Sequence, residues 1–310
     1  MTPSTSRENF ADRLQAAVDR KQSCLVVGLD PVIDRLPREV LAQIHGSAGQ
    51  AGWTARSAAA IAVFLGEVVE QVAPHAVAVK PNVAFFERFG PAGWDCACRL
   101  SEKAQKAGLL VIADAKRGDI GHTAEAYADA LLGDTPDTLG AATDAVTVHP
   151  YLGTDSIGPF LERVRDAGKG LFVLVRTSNP SAAELQDLEV GGRALFEHVA
   201  ELVRDWGDGL TGESGLNPVG AVVGATAPEQ AARVREILDR AVFLVPGYGA
   251  QGAGATELAP FFLPGGRGVV VNAARSIIFA HETSDAPWPE AVADAARNAR
   301  EELEKIRAVT

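Results

Sequence analysis

Eight short apolar runs recur along the chain, at Cys24–Leu29, Ala76–Lys80, Leu109–Ala113, Ala145–Val148, Leu171–Val175, Val219–Val223, Val242–Val245 and Val269–Val271. They are rich in Val, Ile and Leu with little polar alternation, as strands buried on both faces are. Between them lie stretches of helical pattern at Ala55–Val72, Pro91–Ala107, Ala124–Leu132, Ile157–Ala167, Arg193–Trp206 and Pro228–Arg240. Strands that alternate with helices imply right-handed βαβ crossovers and a parallel sheet. Eight such units predict an α/β fold, a closed (β/α)8 barrel of the TIM type, and the 310 residues fit its usual size. An open doubly wound sheet is the alternative.

The ends of the chain extend this pattern. Phe10, Leu14, Ala17 and Val18 fall on one face of an amphipathic N-terminal helix, and Pro289–Ala308 reads as a closing helix with a charged outer face. The segments 181–192 and 207–217, rich in Gly and acidic residues, read as surface excursions. No linker or low-complexity tract interrupts residues 1–310, so one domain is expected.

Composition adds exclusions. A formal charge of −11 argues against nucleic acid or an anionic membrane as partner, but not against a small anionic ligand held by a few local cations. No apolar run reaches the roughly 20 residues that span a bilayer. Arg7, Glu8, Asp12, Arg13, Asp19 and Arg20 are unlike a secretory leader, so a cytoplasmic location is expected. Cys24, Cys96 and Cys98 form neither a disulfide framework nor a zinc motif, and read as small hydrophobes in a reducing compartment.

In a parallel barrel, chemistry belongs at the carboxyl ends of the strands. Asp30 follows the first run, and Lys80 ends the second. The third leads into Asp114-Ala115-Lys116-Arg117-Gly118-Asp119-Ile120, with Thr123 beyond. His149 follows the fourth run, Thr177 and Ser178 the fifth, and Ala225 and Thr226 the sixth. Alternating Lys and Asp at one cavity lets each charge satisfy the next, and such a network is preorganised to stabilise developing charge. The seventh run leads through Pro246 into Gly247, Gly249, Gln251 and Gly252, and the eighth into Asn272 and Arg275. The G-x-G-x-x-G match there is not a dinucleotide fingerprint, because it falls in the seventh unit and the next strand ends in Asn272 rather than an acid. A glycine-rich loop followed by an arginine at a helix start instead suits a phosphate. The residues alone thus indicate a barrel enzyme acting on a phosphorylated small molecule through a Lys/Asp network, and name no particular reaction.

The spacing Asp114-x-Lys116-x-x-Asp119-Ile120-x-x-Thr123 after Leu110–Ile112 resembles the signature of the orotidine 5'-monophosphate decarboxylases. The segments from Pro246 to Gly252 and from Ala274 to Ile277 are similar to that family's phosphate segments. Lys80–Glu87 and Val175–Pro180 resemble its longer bacterial subfamily. The resemblance implies conversion of orotidine 5'-monophosphate to UMP and CO2 in pyrimidine synthesis, without cofactor or metal. It implies Lys80, Asp114, Lys116 and Asp119 as the catalytic set, with Lys116 the proton donor and Asp119 given by the partner subunit of a homodimer with shared active sites. It further implies Asp30 and Lys80 as ribose contacts, Thr123 as a contact across the dimer, Ser178 at the pyrimidine, and Pro246, Gln251 and Arg275 at the substrate, the last two gripping the phosphate. A magnesium-dependent sugar-phosphate decarboxylase or aldolase of the same superfamily is the alternative. Lys80 at the end of the second strand is a poor neighbour for a cation and weighs against it.

Overall fold

A computed structural model describes residues 8–46, 52–133, 143–248 and 255–310. Eight strands lie side by side in chain order: β1 (Leu25–Leu29), β2 (Ala78–Pro81), β3 (Leu110–Arg117), β4 (Ala145–Val148), β5 (Gly170–Arg176), β6 (Asn217–Val223), β7 (Ala241–Pro246) and β8 (Val269–Ala273). All neighbours pair in parallel, and β8 returns to β1, with Val26 opposite Asn272, so the sheet is a closed barrel. Closure excludes the open doubly wound alternative. The principal helices are α1 (Phe10–Lys21), α2 (Trp53–Val72), α3 (Pro91–Lys106), α4 (Gly121–Leu132), α5 (Thr154–Ala167), α6 (Leu195–Trp206), α7 (Pro228–Ile237) and α8 (Trp288–Arg307).

The apolar residues divide into two cores because strand side chains alternate between faces. Val27, Leu29, Val79, Val111 and Val173 pack outward with Phe64, Leu100 and Phe160 of the helices. Val26, Ala78, Ile112, Ala145, Phe172, Val222, Val242, Leu244 and Val270 fill the barrel with Phe10, Ala11, Leu14, Ala17 and Val18 of α1. The N-terminal amphipathic helix is therefore the barrel's floor. Phe10 stands edge-on to Phe172 at 5.9 Å, and a Cβ on Gly170 would lie 2.3 Å from the Phe10 ring, so that position admits only glycine. Arg13 fastens α1 to Asp144 at 2.5 Å and to the Gly168 carbonyl at 3.1 Å.

Two predicted stretches differ from the structure. The third strand continues past Ala113 to Arg117, because Asp114 and Lys116 meet ionic partners inside the barrel and need not leave the sheet. Residues 181–192 are not a plain excursion. They carry a helical turn at Ala183–Gln186 and a hairpin that pairs Glu189–Val190 with Arg193–Ala194, which delays α6 to Leu195. Cys96 and Cys98 sit in α3, buried and half-buried, in agreement with their reading as hydrophobes.

Candidate active site at the strand ends

Two residues beyond the inward-facing Val26, Ala78, Ile112, Ala145, Leu244 and Val270 stand Gly28, Lys80, Asp114, Thr147, Pro246 and Asn272. The same parity that builds the core therefore aims these residues at the barrel's carboxyl-end mouth. In β3 the register slips: Ala113 pairs with Val146 and Arg117 with Val148, so Asp114, Ala115 and Lys116 together face Thr147 alone. This bulge turns Lys116 into a left-handed conformation, φ 50°. Among the described non-glycine residues only Gln22, the cap of α1, shares that feature.

Asp114 is the hub of the site. Lys80 Nζ donates to its Oδ2 and Lys116 Nζ to its Oδ1, while the Thr147 hydroxyl donates to Oδ1 at 3.1 Å. Thr147 Oγ1 also accepts the backbone N–H of Lys116 at 3.0 Å. The side chains of Lys80 and Asp114 are 6% and 9% exposed, that of Lys116 48%, so Lys116 is the member of the chain that a ligand can reach. Burial alone would raise the Asp114 carboxyl, but Lys80 and Lys116 outweigh it and bring the pKa down to about 2. At Asp30 burial wins. Its carboxyl is pushed above the usual range with repulsion from Asp114 adding to burial, although Lys80, Lys116 and Arg275 pull the other way.

Two buried oxygens at the mouth, Asp30 Oδ1 and Asn272 Oδ1, have no hydrogen-bond partner among the described residues. An unpaired buried acceptor is costly, and both oxygens are suited to accept from hydroxyls of a ligand. Gly28 makes room for Asn272: a Cβ there would sit 3.3 Å from Asn272 Oδ1 and 2.6 Å from the Ala274 Cβ.

Among the described residues, the other predicted ones make no hydrogen bond or ion pair with this centre. Asp119 is half-buried, and its Oδ1 accepts the Ile120 N–H at 2.8 Å rather than meeting either lysine. Thr123 is exposed in the first turn of α4. Ser178 is half-buried above β5, and its carbonyl accepts from Thr226 at 3.4 Å. Pro246 ends β7, and Arg275 is exposed at the start of a single helical turn, Arg275–Ile278, directly after β8. Gln251, with Gly249 and Gly252, lies outside the described residues. The insertion after β5 is bolted to the rim, where Arg176 grips Asp187 through Nε at 2.7 Å and Nη2 at 3.0 Å, and the Thr177 N–H donates to Gln186 at 2.8 Å. His149 packs against Gly118, where a Cβ would come within 2.3 Å of the ring.

Sequence reasoning missed the part played by Thr147. A β-branched threonine inside Ala145–Val148 reads as an ordinary strand residue, and only its inward parity marks it. In the sequence Asn272 reads only as a residue that is not an acidic ribose ligand, and its burial is visible only in the fold. Among the described residues no cluster of three or more His, Cys, Asp or Glu side chains is placed to hold a metal ion.

A closed (β/α)8 barrel with an ion-paired Lys–Asp–Lys chain at its carboxyl-end mouth defines a barrel enzyme. The particular family follows from comparison. Residues 23–286 match the Orotidine 5'-phosphate decarboxylase / HUMPS family, and the chain belongs to it. An orotidine 5'-phosphate decarboxylase of Rhodopirellula baltica is 42% identical over 302 residues, covering 95% of this chain and 98% of that protein. One from Caldicellulosiruptor bescii is 40% identical over 279 residues, covering 88% and 90%. Among solved structures, the Leishmania donovani OMP decarboxylase superposes with a TM-score of 0.74 at 33% identity, covering 96% of this chain and 98% of that one.

Proposed function

We propose that this chain decarboxylates orotidine 5'-monophosphate to UMP, without cofactor, as one barrel domain that shares its active sites in a homodimer. The observation that carries the reading is the Lys80–Asp114–Lys116 chain, with its one accessible ammonium at the mouth. The family's description also covers HUMPS, whereas the similar relatives carry the decarboxylase name over nearly their full lengths. That agreement favours the decarboxylase over the magnesium-dependent sugar-phosphate reaction, as does the ammonium of Lys80 at the end of β2.

The chemistry balances on these residues. The bond between C6 and the carboxyl carbon breaks, CO2 leaves, and the electron pair stays on C6 in the plane of the ring. An ammonium fixed beside that carbon stabilises the carbanion and then protonates it. Lys116 is that donor, and the amine it becomes regains a proton from water. Asp114 holds the ammonium in place. Asp30 and Asn272, with their unpartnered oxygens, accept from ribose hydroxyls, with Lys80 beside them. Ser178 meets the pyrimidine, Pro246 contacts the substrate, and Gln251 and Arg275 grip the phosphate. The phosphate lies far from C6, so its binding energy is available for closing the site.

The partner subunit supplies Asp119 and Thr123. The separation of Asp119 from both lysines within one chain favours this, and so do the exposed Ile120, Tyr151 and Leu152 nearby in the β3 and β4 loops. The enzyme is read as cytoplasmic, and no helix among the described residues is long and apolar enough to cross a membrane. The test is Lys116→Ala beside wild type, with conversion to UMP followed by absorbance. The variant should lose about 100-fold or more in turnover while still binding UMP. Turnover equal to wild type would contradict the role of Lys116.

A further inference from the structure

The geometry points to Thr147 as a positioning residue of the site, a single hydroxyl that clamps the reactive lysine at two places. The inference rests on the decarboxylase reading for its kinetic consequence, and on the bulge in β3 for its geometry. Lys116 occupies a left-handed backbone conformation at φ 50°. For a lysine that conformation is unfavourable, so something must hold it. The sheet cannot do so alone, because the ladder between β3 and β4 is interrupted between Ala113 and Arg117. The Lys116 N–H bonds instead to Thr147 Oγ1 at 3.0 Å.

The same hydroxyl spends its proton on Asp114 Oδ1 at 3.1 Å, the oxygen that accepts the Lys116 ammonium. Thr147 thus fixes the backbone of Lys116 and the counter-ion of its side chain together. Thr147 is 1% exposed and Asp114 9%, so water cannot replace the hydroxyl without a rearrangement. Thr147 touches no reacting atom and acts only through Lys116 and Asp114. Side chains locked by their own supports are what hold a reactive group within a fraction of an ångström of productive geometry.

The test compares Thr147→Val, which keeps the shape and loses the hydroxyl, with Thr147→Ser, which keeps the hydroxyl. In the wild-type assay with orotidine 5'-monophosphate, Thr147→Val should lower kcat by about 10- to 100-fold with KM within about 3-fold. Thr147→Ser should stay within about 3-fold of wild type in both constants. A valine variant with wild-type kcat, a loss carried by KM alone, or a serine variant as slow as the valine would each overturn the inference. A wild type inactive on this substrate would defeat the decarboxylase reading separately. The clamp is then judged by crystal structures of both variants: Lys116 should leave the left-handed region in Thr147→Val and keep it in Thr147→Ser. An unmoved Lys116 in the valine variant would overturn it whatever the substrate.

Discussion

Burial acts on two carboxyls of one cavity and leaves them on opposite sides of their ordinary range. Asp114 touches both lysines, and their charges overcome its loss of water; Asp30 touches neither, and desolvation governs it. The signs for stability follow. Asp114 has a folded pKa of about 2 against 3.8 for the free group, so it contributes stability above pH 3.8 that is lost as pH falls toward 2. Asp30 has a raised folded pKa, so its ionisation opposes folding once pH exceeds 3.8 and is without effect well below that. Asp30→Asn should therefore raise the melting temperature at neutral pH, with the gain vanishing below about pH 4, while it increases KM for the substrate. Melting curves taken across pH on both proteins decide this. A variant less stable than wild type at pH 7 would show that the ionised Asp30 stabilises the fold. The positions of Asp30, Lys80, Asp114 and Lys116 were legible because charge at the end of an apolar run is conspicuous. Thr147 was not, since a threonine in a strand satisfies β-propensity whether or not its hydroxyl has a task.

At the scale of elements, the eight strands were legible within a few residues because both of their faces are buried and no polar alternation blurs the run. The extension of β3 was not, because continuation of a strand through Asp-Ala-Lys depends on ionic partners from β2 and a hydroxyl from β4. The hairpin after β5 escaped for a related reason. Glu189, Val190, Gly191 and Gly192 are exposed and carry little pattern, and the segment is ordered by Arg176 and Thr177 reaching out from the rim. The floor, by contrast, declares itself in the spacing of Phe10, Leu14, Ala17 and Val18, although that spacing does not say which core they enter. Placement of α1 beneath the barrel separates stability from chemistry. Phe10→Ala should destabilise the protein by about 3–5 kcal/mol in denaturant unfolding, because it opens a cavity against Phe172 and Gly170. Its kcat under folding conditions should match wild type. A large drop in kcat would mean that the floor communicates with the mouth.

At the scale of the whole molecule, two residues that the proposal places in the site stand apart from its centre. Asp119 faces its own backbone, Thr123 is exposed, and neither meets the Lys–Asp–Lys chain. If a second copy completes the site, mixing inactive Lys116→Ala and Asp119→Ala subunits should restore some activity, because each heterodimer then holds one intact site. Heterodimers isolated through different tags and found inactive would exclude the shared arrangement. The family's description joins orotidine 5'-phosphate decarboxylase with HUMPS, and a fold by itself does not choose between them.

The most direct measurement is turnover of orotidine 5'-monophosphate by the purified wild-type protein in EDTA, beside a sugar phosphate such as 3-keto-L-gulonate 6-phosphate with magnesium. Rapid formation of UMP that EDTA leaves unchanged, with no reaction of the sugar phosphate, is the predicted result. Reaction of the sugar phosphate with added magnesium, and none of the nucleotide, would contradict the account and move the chain to the other branch of its family.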